Sequence, residues 1–584
     1  MFYKIKKSIP ICVITMTLSS FAYTQEVAEA RPFSLDDVIH PRLGALIDPK
    51  DRPNIIGLEM PVSGKSEQVS GHVKQGFALV HAQWDFEAYR HFAAALKEDD
   101  ECLMAYCGVA FALAKPFNEY TSCRVAAVDR ILDLIEADDL LEKSGEPEKF
   151  PRFEKMFAIA TANLVAVSPV GAGRQFKELG RGFPNMLQSK LIGAFMTRGS
   201  YDINGYPDTQ QEQTIQSIKA LIKETPENPM VHSFLLSLLA QAPDNHKDFD
   251  LKTEVLPYAR FLVKKHPDMP SWRYTLGHYE WRAGNYSLAE AAFTKSSEQY
   301  SEWMLKNDIS INDSEGYIKS MCYLANTLYQ RGNFDRAIEI AKELREIKLD
   351  AARPHSAGNE ILLWRGYTLM SRLYAARGNE GDLDKALEHL PNKKDLKSFV
   401  EIENTPSLVG AYIEAFATYL GARRAVEAGD HKAAEFLHKD SFRKIETKIK
   451  EFAEPAQRSG QFAHYFNAGS SLAILDMELA GLIALNGPEG SQLTASNWFR
   501  SARDKQGVPS AMLPPLVIEP MENRLAEYYK KVKDDVASYE AYRSGLERYP
   551  NNMASLLGVK ETLARLKKED LLKRVEAHIE SVKP

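Results

Sequence analysis

The stretch that most constrains the chain runs from Trp272 to Ser296, WRYTLGHYEWRAGNYSLAEAAFTKS. Apolar and small residues recur there at intervals of three and four, which predicts two helices. Gly284-Asn285-Tyr286 supplies the turn between them. Gly277 on the first helix and Ala289 on the second let antiparallel backbones approach closely, while Tyr286 and Phe293 fill the space beside them. A hairpin of this kind leaves its apolar outer faces half-covered, so another hairpin has to stack on it. At 584 residues the chain is also too long for one compact core.

The same register recurs elsewhere. Taking Gly76 as a close-contact position puts Ala88, Phe92 and Ala95 twelve, sixteen and nineteen residues on. Leu324-Ala325, Gly332-Asn333-Phe334, Ala337-Ile338 and Leu344 repeat the central pattern, and further turns are expected at Gly381, Gly429 and Gly490. Pro169, Gly171, Gly173, Gly180 and Gly182, then Gly205-Tyr206-Pro207, are expected to interrupt the helices with irregular loops. Leu571, Leu572, Val575, Ile579 and Val582 make one apolar stripe on a final helix suited to cap the stack. The expected fold is therefore all-α, an α-solenoid of stacked antiparallel helix pairs with no strand domain.

At Gly277, Gly284-Asn285-Tyr286, Ala289 and Phe293, and again at Gly332-Asn333-Phe334-Asp335 and Ala337, the sequence resembles the tetratricopeptide repeat family. The end, from Pro514-Pro515 to Pro550-Asn551-Asn552, resembles that of large bacterial repeat proteins. The resemblance implies a right-handed superhelix with a concave groove lined by first helices, used for binding and not for chemistry. Family members that hold chaperone tails carry a carboxylate clamp. Here Asn326 fits one clamp position, but Tyr274 and Cys322 stand where a Lys belongs, so that function is not expected. The groove is expected to be lined by Tyr274, His278, Trp281 and Arg282, with Lys319, Tyr323, Asn326 and Tyr329 on the next first helix. Such a surface suits a peptide or a sugar, although Trp281 and Tyr329 also suit packing between hairpins.

The N-terminus reads as an address. Lys4, Lys6 and Lys7 precede an apolar run from Ile9 to Phe21, and Ser20-Phe21-Ala22 suits a signal peptidase, with cleavage expected after Ala22. Retention as an anchor is the alternative; Cys12 lacks the small-residue box of a lipoprotein. No second apolar run of that kind is expected. The resulting division is 1–22 signal peptide, 23–70 extended and rich in Pro, 71–225 N-terminal repeats with irregular loops, 226–400 central repeats, and 401–584 C-terminal repeats with the cap. Export makes disulfides possible. Cys102 and Cys107 point to different faces of one helix, and whether Cys107 and Cys123 pair is left open.

A net charge of -6 gives no electrostatic footprint for nucleic acid. Gly64-Lys65-Ser66 lacks the upstream glycine of a phosphate loop, because Glu59 stands there, and reads as a turn. His72, His81 and His91 are spaced nine and ten apart, which does not suit a helical zinc site, and no metal or cofactor is expected. His278-Tyr279-Glu280 lacks the Cys pair of a deaminase, and no Gly-x-Ser-x-Gly elbow occurs. Asp99-Asp100 and Asp138-Asp139 read as helix-end acids. The expected function is a non-enzymatic scaffold, periplasmic or secreted, whose groove binds a protein or peptide partner. A glycan-binding envelope protein of nutrient-uptake type stands second, and a cell-wall enzyme on a helical scaffold third.

Overall fold

The computed structural model of the chain describes residues 33–52, 59–114, 118–166, 168–201, 206–240, 242, 250–354, 356–392, 401–402, 405–453, 462–488, 490–507, 509, 511 and 513–583. The expected signal segment 1–22 lies outside them. Leu35–Pro584 forms one unit.

From Glu67 to Val582 the unit is built of helices packed on their sequence neighbours, an α-solenoid of antiparallel pairs. Pro270–Arg282 pairs with Tyr286–Asn307, and Glu315–Gln330 with Phe334–Glu346. Every turn glycine expected from the register, Gly284, Gly332, Gly381, Gly429 and Gly490, has positive φ. The expected small residues Ala88, Ala95, Ala289 and Ala337 are fully buried, as are Ala434 and Ala495. Side-chain size sets the approach. A Cβ on Gly76 would stand 2.5 Å from the Phe92 ring, and one on Gly108 would stand 2.1 Å from the same ring, so Phe92 is held between glycines sixteen residues before and after it. Among the described residues the named strands are Glu401–Ile402 and Thr405–Pro406, a two-residue antiparallel pair.

Three expectations are corrected. Residues 169–182 are a regular helix: Pro169 occupies its first turn behind the N-cap Ser168, whose Oγ accepts from the Gly171 N–H. Gly173 and Gly180 face Met196 and Lys190, and Gly193 of the Leu187–Met196 helix faces the Lys177 backbone. These glycines permit close helix contact; they do not break helices. Second, the repeats start earlier than Gly71, at Glu67, with Ser66 as N-cap accepting from Val69 N. Third, a second long apolar run does exist. His464–Asn486 is long and apolar enough to cross a membrane, yet half of that window is buried in the stack. Asp476 on it pairs with His438 and Arg443, and Glu478 with Arg524.

The described parts of the Pro-rich N-terminal segment lie along the first helices, with short helical turns at Leu35–Asp37 and Pro41–Gly44. Tyr89 Oη donates to the Val38 carbonyl at 2.7 Å and accepts from His40 N at 3.0 Å. Glu154 accepts from Ser63 N and Oγ. Cys102, Cys107, Cys123 and Cys322 are buried free thiols. Burial raises all four pKa values, that of Cys322 to about 11.

Distant parts of the unit are tied together. Arg353 donates to both carboxylate oxygens of Asp313 and to Glu119, and Tyr120 Oη donates to Asp313. Trp303 Nε1 donates to Glu87, which also accepts from Arg90. At the C-terminal end, Asn551 Nδ2 donates to the carbonyl of Gly284, and a Cβ on Gly284 would stand 2.5 Å from the Pro550 carbonyl oxygen. The last helix, Glu569–Val582, covers Met553 and Leu556 with Val575, Ile579 and Val582, whereas Leu571 is left 41% exposed.

Candidate functional site

The face formed by the first helices of the central pairs is occupied by the chain itself. Between the Gln492–Lys505 and Met521–Lys531 helices the backbone crosses that face as a strap, Leu513–Pro520. Pro514 and Pro515 exclude helix there, and Leu513, Leu516 and Ile518 point into the central core. Side-chain donors on successive elements read the carbonyls of this stretch and of Ala511, just before it. Tyr274 Oη donates to Ala511 O at 2.6 Å, Arg365 Nη1 to Pro514 O at 2.8 Å, and Arg372 Nη1 to Pro515 O at 2.7 Å. Gln330 Nε2 reaches Ile518 O at 3.5 Å, and Tyr329 Oη donates to Glu519 Oε2 at 3.2 Å. Arg365 stands on a π-helical turn, Leu362–Gly366, and Arg372 on the Leu369–Arg377 helix.

The strap's ends are held separately from its middle. Gln506 donates from Nε2 to Glu519 O at 3.0 Å and accepts at Oε1 from Met521 N at 2.8 Å, so one side chain clasps the point where the backbone returns. Arg548 in turn donates to Gln506 O. Arg365 and Arg372 are both buried, and among the described residues neither pairs with a carboxylate. Arg365 also donates to Asn467 Oδ1, and Arg372 to Arg365 O. Burial lowers the pKa of both, and for Arg365 the like charge of Arg372 adds to the effect. Backbone carbonyls do for these cations what acids do elsewhere.

The strap and the neighbouring hairpins change the expected open groove into an interior. Tyr274, His278, Trp281, Arg282, Tyr323 and Asn326 are all buried. Lys319 is held by Glu315 at 2.6 Å, and Tyr329 is half-buried under the strap. The rings that a sugar would stack on face each other: Phe293 and Tyr323 are stacked with centroids 5.3 Å apart, and Trp281 meets Tyr323 edge-on. Arg282 donates to the Ala240 and Ala242 carbonyls, so it braces the preceding pair. Both ring nitrogens of His278, both amide atoms of Asn326 and Nε1 of Trp281 are buried without a hydrogen-bond partner among the described residues. Burial, then Arg282, pushes the His278 pKa well below the usual range.

Of the eight expected residues, Tyr329 thus bonds the strap at Glu519, and Tyr274 bonds Ala511 just before it. Gln330, Arg365 and Arg372 were missed. The signal for the two arginines was their spacing of seven on an otherwise apolar helical stretch, Ile361–Leu373, where a buried charge demands a partner; Gln330 carried no such signal. Other candidate chemistry resolves into structure. Glu280 accepts from Arg260 and Asn285, and Asp99 accepts from Lys65 N and Glu101 N. His72 and His91 meet at 3.1 Å, while His81 turns to Gln188. Among the described residues no three His, Cys, Asp or Glu side chains converge as a metal site would require.

No family model matches the chain, and no curated protein matches it. Solved structures show likeness at low similarity. A human IFIT1 dimer with PPP-AAAA is 14% identical, covering 88% of this chain and 98% of that one, with a TM-score of 0.27. The APC/C hetero-tetramer Cut9-Hcn1 is 11% identical, covering 88% and 93%, with a TM-score of 0.27. Yeast Tom70 is 12% identical, covering 86% and 96%, with a TM-score of 0.22. The fold assignment rests on the chain's own hairpins: positive-φ turn glycines, buried alanines and glycine-on-ring contacts at a spacing of sixteen make it an α-solenoid of antiparallel helix pairs.

Proposed function

We propose that the protein is a non-enzymatic scaffold of a bacterial cell envelope, exported to the periplasm or beyond, which holds an extended polypeptide segment of a protein partner against the first-helix face of its central pairs. The observation that carries this reading is the strap: Tyr274, Gln330, Arg365 and Arg372 already take up an extended polypeptide through its carbonyl oxygens. Carbonyls are common to every peptide, so donors aimed at them recognise backbone, and the pockets holding Leu513, Leu516 and Ile518 add side-chain preference. Export is supported by the Lys-rich start, the apolar run and Ser20-Phe21-Ala22.

Photo-crosslinking amino acids at Tyr329 and Arg377, both only partly buried, test the reading in cells. Irradiation is expected to give covalent adducts with another polypeptide in the envelope fraction. Adducts confined to the chain itself at both positions, with a crosslinker on the far face behaving identically, would overturn it.

A further inference from the structure

We infer that the Leu513–Pro520 strap is an exchangeable occupant of a peptide groove, and that the groove's partner in trans is an extended, proline-containing segment with aliphatic side chains two residues apart, entering as the strap leaves. This deepens the reading above and rests on it. Three observations carry it. Groove side chains donate to strap carbonyls at Pro514, Pro515 and Ile518, and to that of Ala511 just before the strap, so a segment with few N–H groups loses nothing there. Leu516 and Ile518 are buried while Val517 between them is half-buried, the alternation of an extended chain with one face down.

The third observation is the Gln506 clasp. Because Gln506 holds Glu519 O and Met521 N, and Arg548 holds Gln506 O, the Met521–Lys531 helix keeps its entry point when the middle of the strap lifts away. Glu522 is further held by Arg548 at 3.3 Å. The loop leaves and returns at one place, as in an Ω-loop, so releasing it does not require the flanking pairs to separate. Two buried guanidiniums that lack an acid among the described residues keep the groove dependent on some occupant: with neither strap nor partner, Arg365 keeps Asn467 and Arg372 keeps the Arg365 carbonyl, but each loses the acceptor that Pro514 O or Pro515 O supplies. Exchange of one carbonyl-bearing segment for another meets that requirement at every step.

The test uses the full chain and a fluorescein-labelled synthetic decapeptide with the sequence of residues 511–520. Leu516→Asp with Ile518→Asp weakens the occupant in cis and leaves the clasp. Fluorescence anisotropy is expected to show at least tenfold tighter peptide binding by this double variant than by the parent, and a peptide carrying the same two Asp replacements is expected to bind at least tenfold more weakly. Adding Arg372→Leu to the double variant is expected to reduce peptide affinity about tenfold. A folded double variant, judged by circular dichroism and a cooperative thermal transition, that binds the peptide no better than the parent overturns the inference. Should the double variant not fold, a protease site inserted after the exposed Gly507 gives the strap a free end in otherwise native protein. Nicking is then expected to raise peptide affinity, and unchanged affinity overturns the inference. Peptide exchange without any partner adduct in cells would sink the proposed function and leave the groove intact; adducts without peptide exchange would do the reverse.

Discussion

Gly277 lies so close to Phe293 that a Cβ on it would stand 2.8 Å from the ring carbon Cδ1. Phe293 in turn stacks on Tyr323 of the next pair, so the missing side chain at one position sets the spacing of three helices. Gly277→Val and Ala337→Trp are each expected to overpack a helix contact and cost about 1–3 kcal/mol. Thermal unfolding measures this. Parent-like transitions in both variants would mean that the repeat register is misassigned.

Arg365→Lys is expected to loosen the strap. One ammonium cannot reproduce the planar fork that reaches Pro514 O and Asn467 Oδ1 together. A buried acceptor left without its donor costs about 1–3 kcal/mol. Urea unfolding should show that loss, and limited proteolysis should cut between Gln506 and Met521 sooner than in the parent. Equal proteolysis rates would mean that Arg365 does not hold the strap.

His81 is buried, and burial pushes its pKa down to about 4, partly opposed by the hydrogen bond with Gln188. The unfolded chain takes up the proton near pH 6.5 and the folded chain only near pH 4. Between those values the unfolded state binds more protons, so stability is full above pH 6.5 and falls as pH drops, by about 1.4 kcal/mol per unit and about 3 kcal/mol in all. His40, His72 and His91 shift the same way through burial and add to the slope. His81→Gln is expected to flatten the stability profile between pH 6.5 and 4 by up to about 1.4 kcal/mol per unit. An unchanged slope in urea titrations across that range would refute the assignment.

Ending the chain after Lys567 removes the Glu569–Val582 helix. Met553 and Leu556 then lose Ile579, and Val559 and Leu563 lose Leu572 and Val575. Uncovering apolar side chains at about 1.5–3 kcal/mol each predicts a lower melting temperature and new binding of an apolar dye. A truncated chain that melts with the parent and binds no dye would leave the last helix without a capping role.

How much of this was legible beforehand depends on what carries each feature. The hairpin register was, because small residues at fixed offsets are a property of side-chain size: Gly76, Ala88, Phe92 and Ala95 sit as the spacing demands. Turns at Gly332, Gly429 and Gly490 were legible for the same local reason. The run from Pro169 to Gly182 was misread, since a glycine that shortens a helix contact and one that ends a helix look alike in sequence. The groove was misread for a different reason. Whether Tyr274 faces solvent depends on Ala511, which lies 237 positions away and engages it through a carbonyl that every residue possesses. Pro514-Pro515 reads in sequence only as the start of a family-like end; that the stretch crosses the first-helix face is set by the stack's geometry.

The corner at Gly284 has a consequence for synthesis. Its carbonyl waits for Asn551, 267 positions later, which at ribosomal speed is a delay of about 15 to 50 seconds. During that interval the central helices have emerged without the surface that seals them. A messenger that stops early therefore yields a polypeptide whose middle is finished and whose corner stays bare, and such a product is the one expected to clump with its siblings.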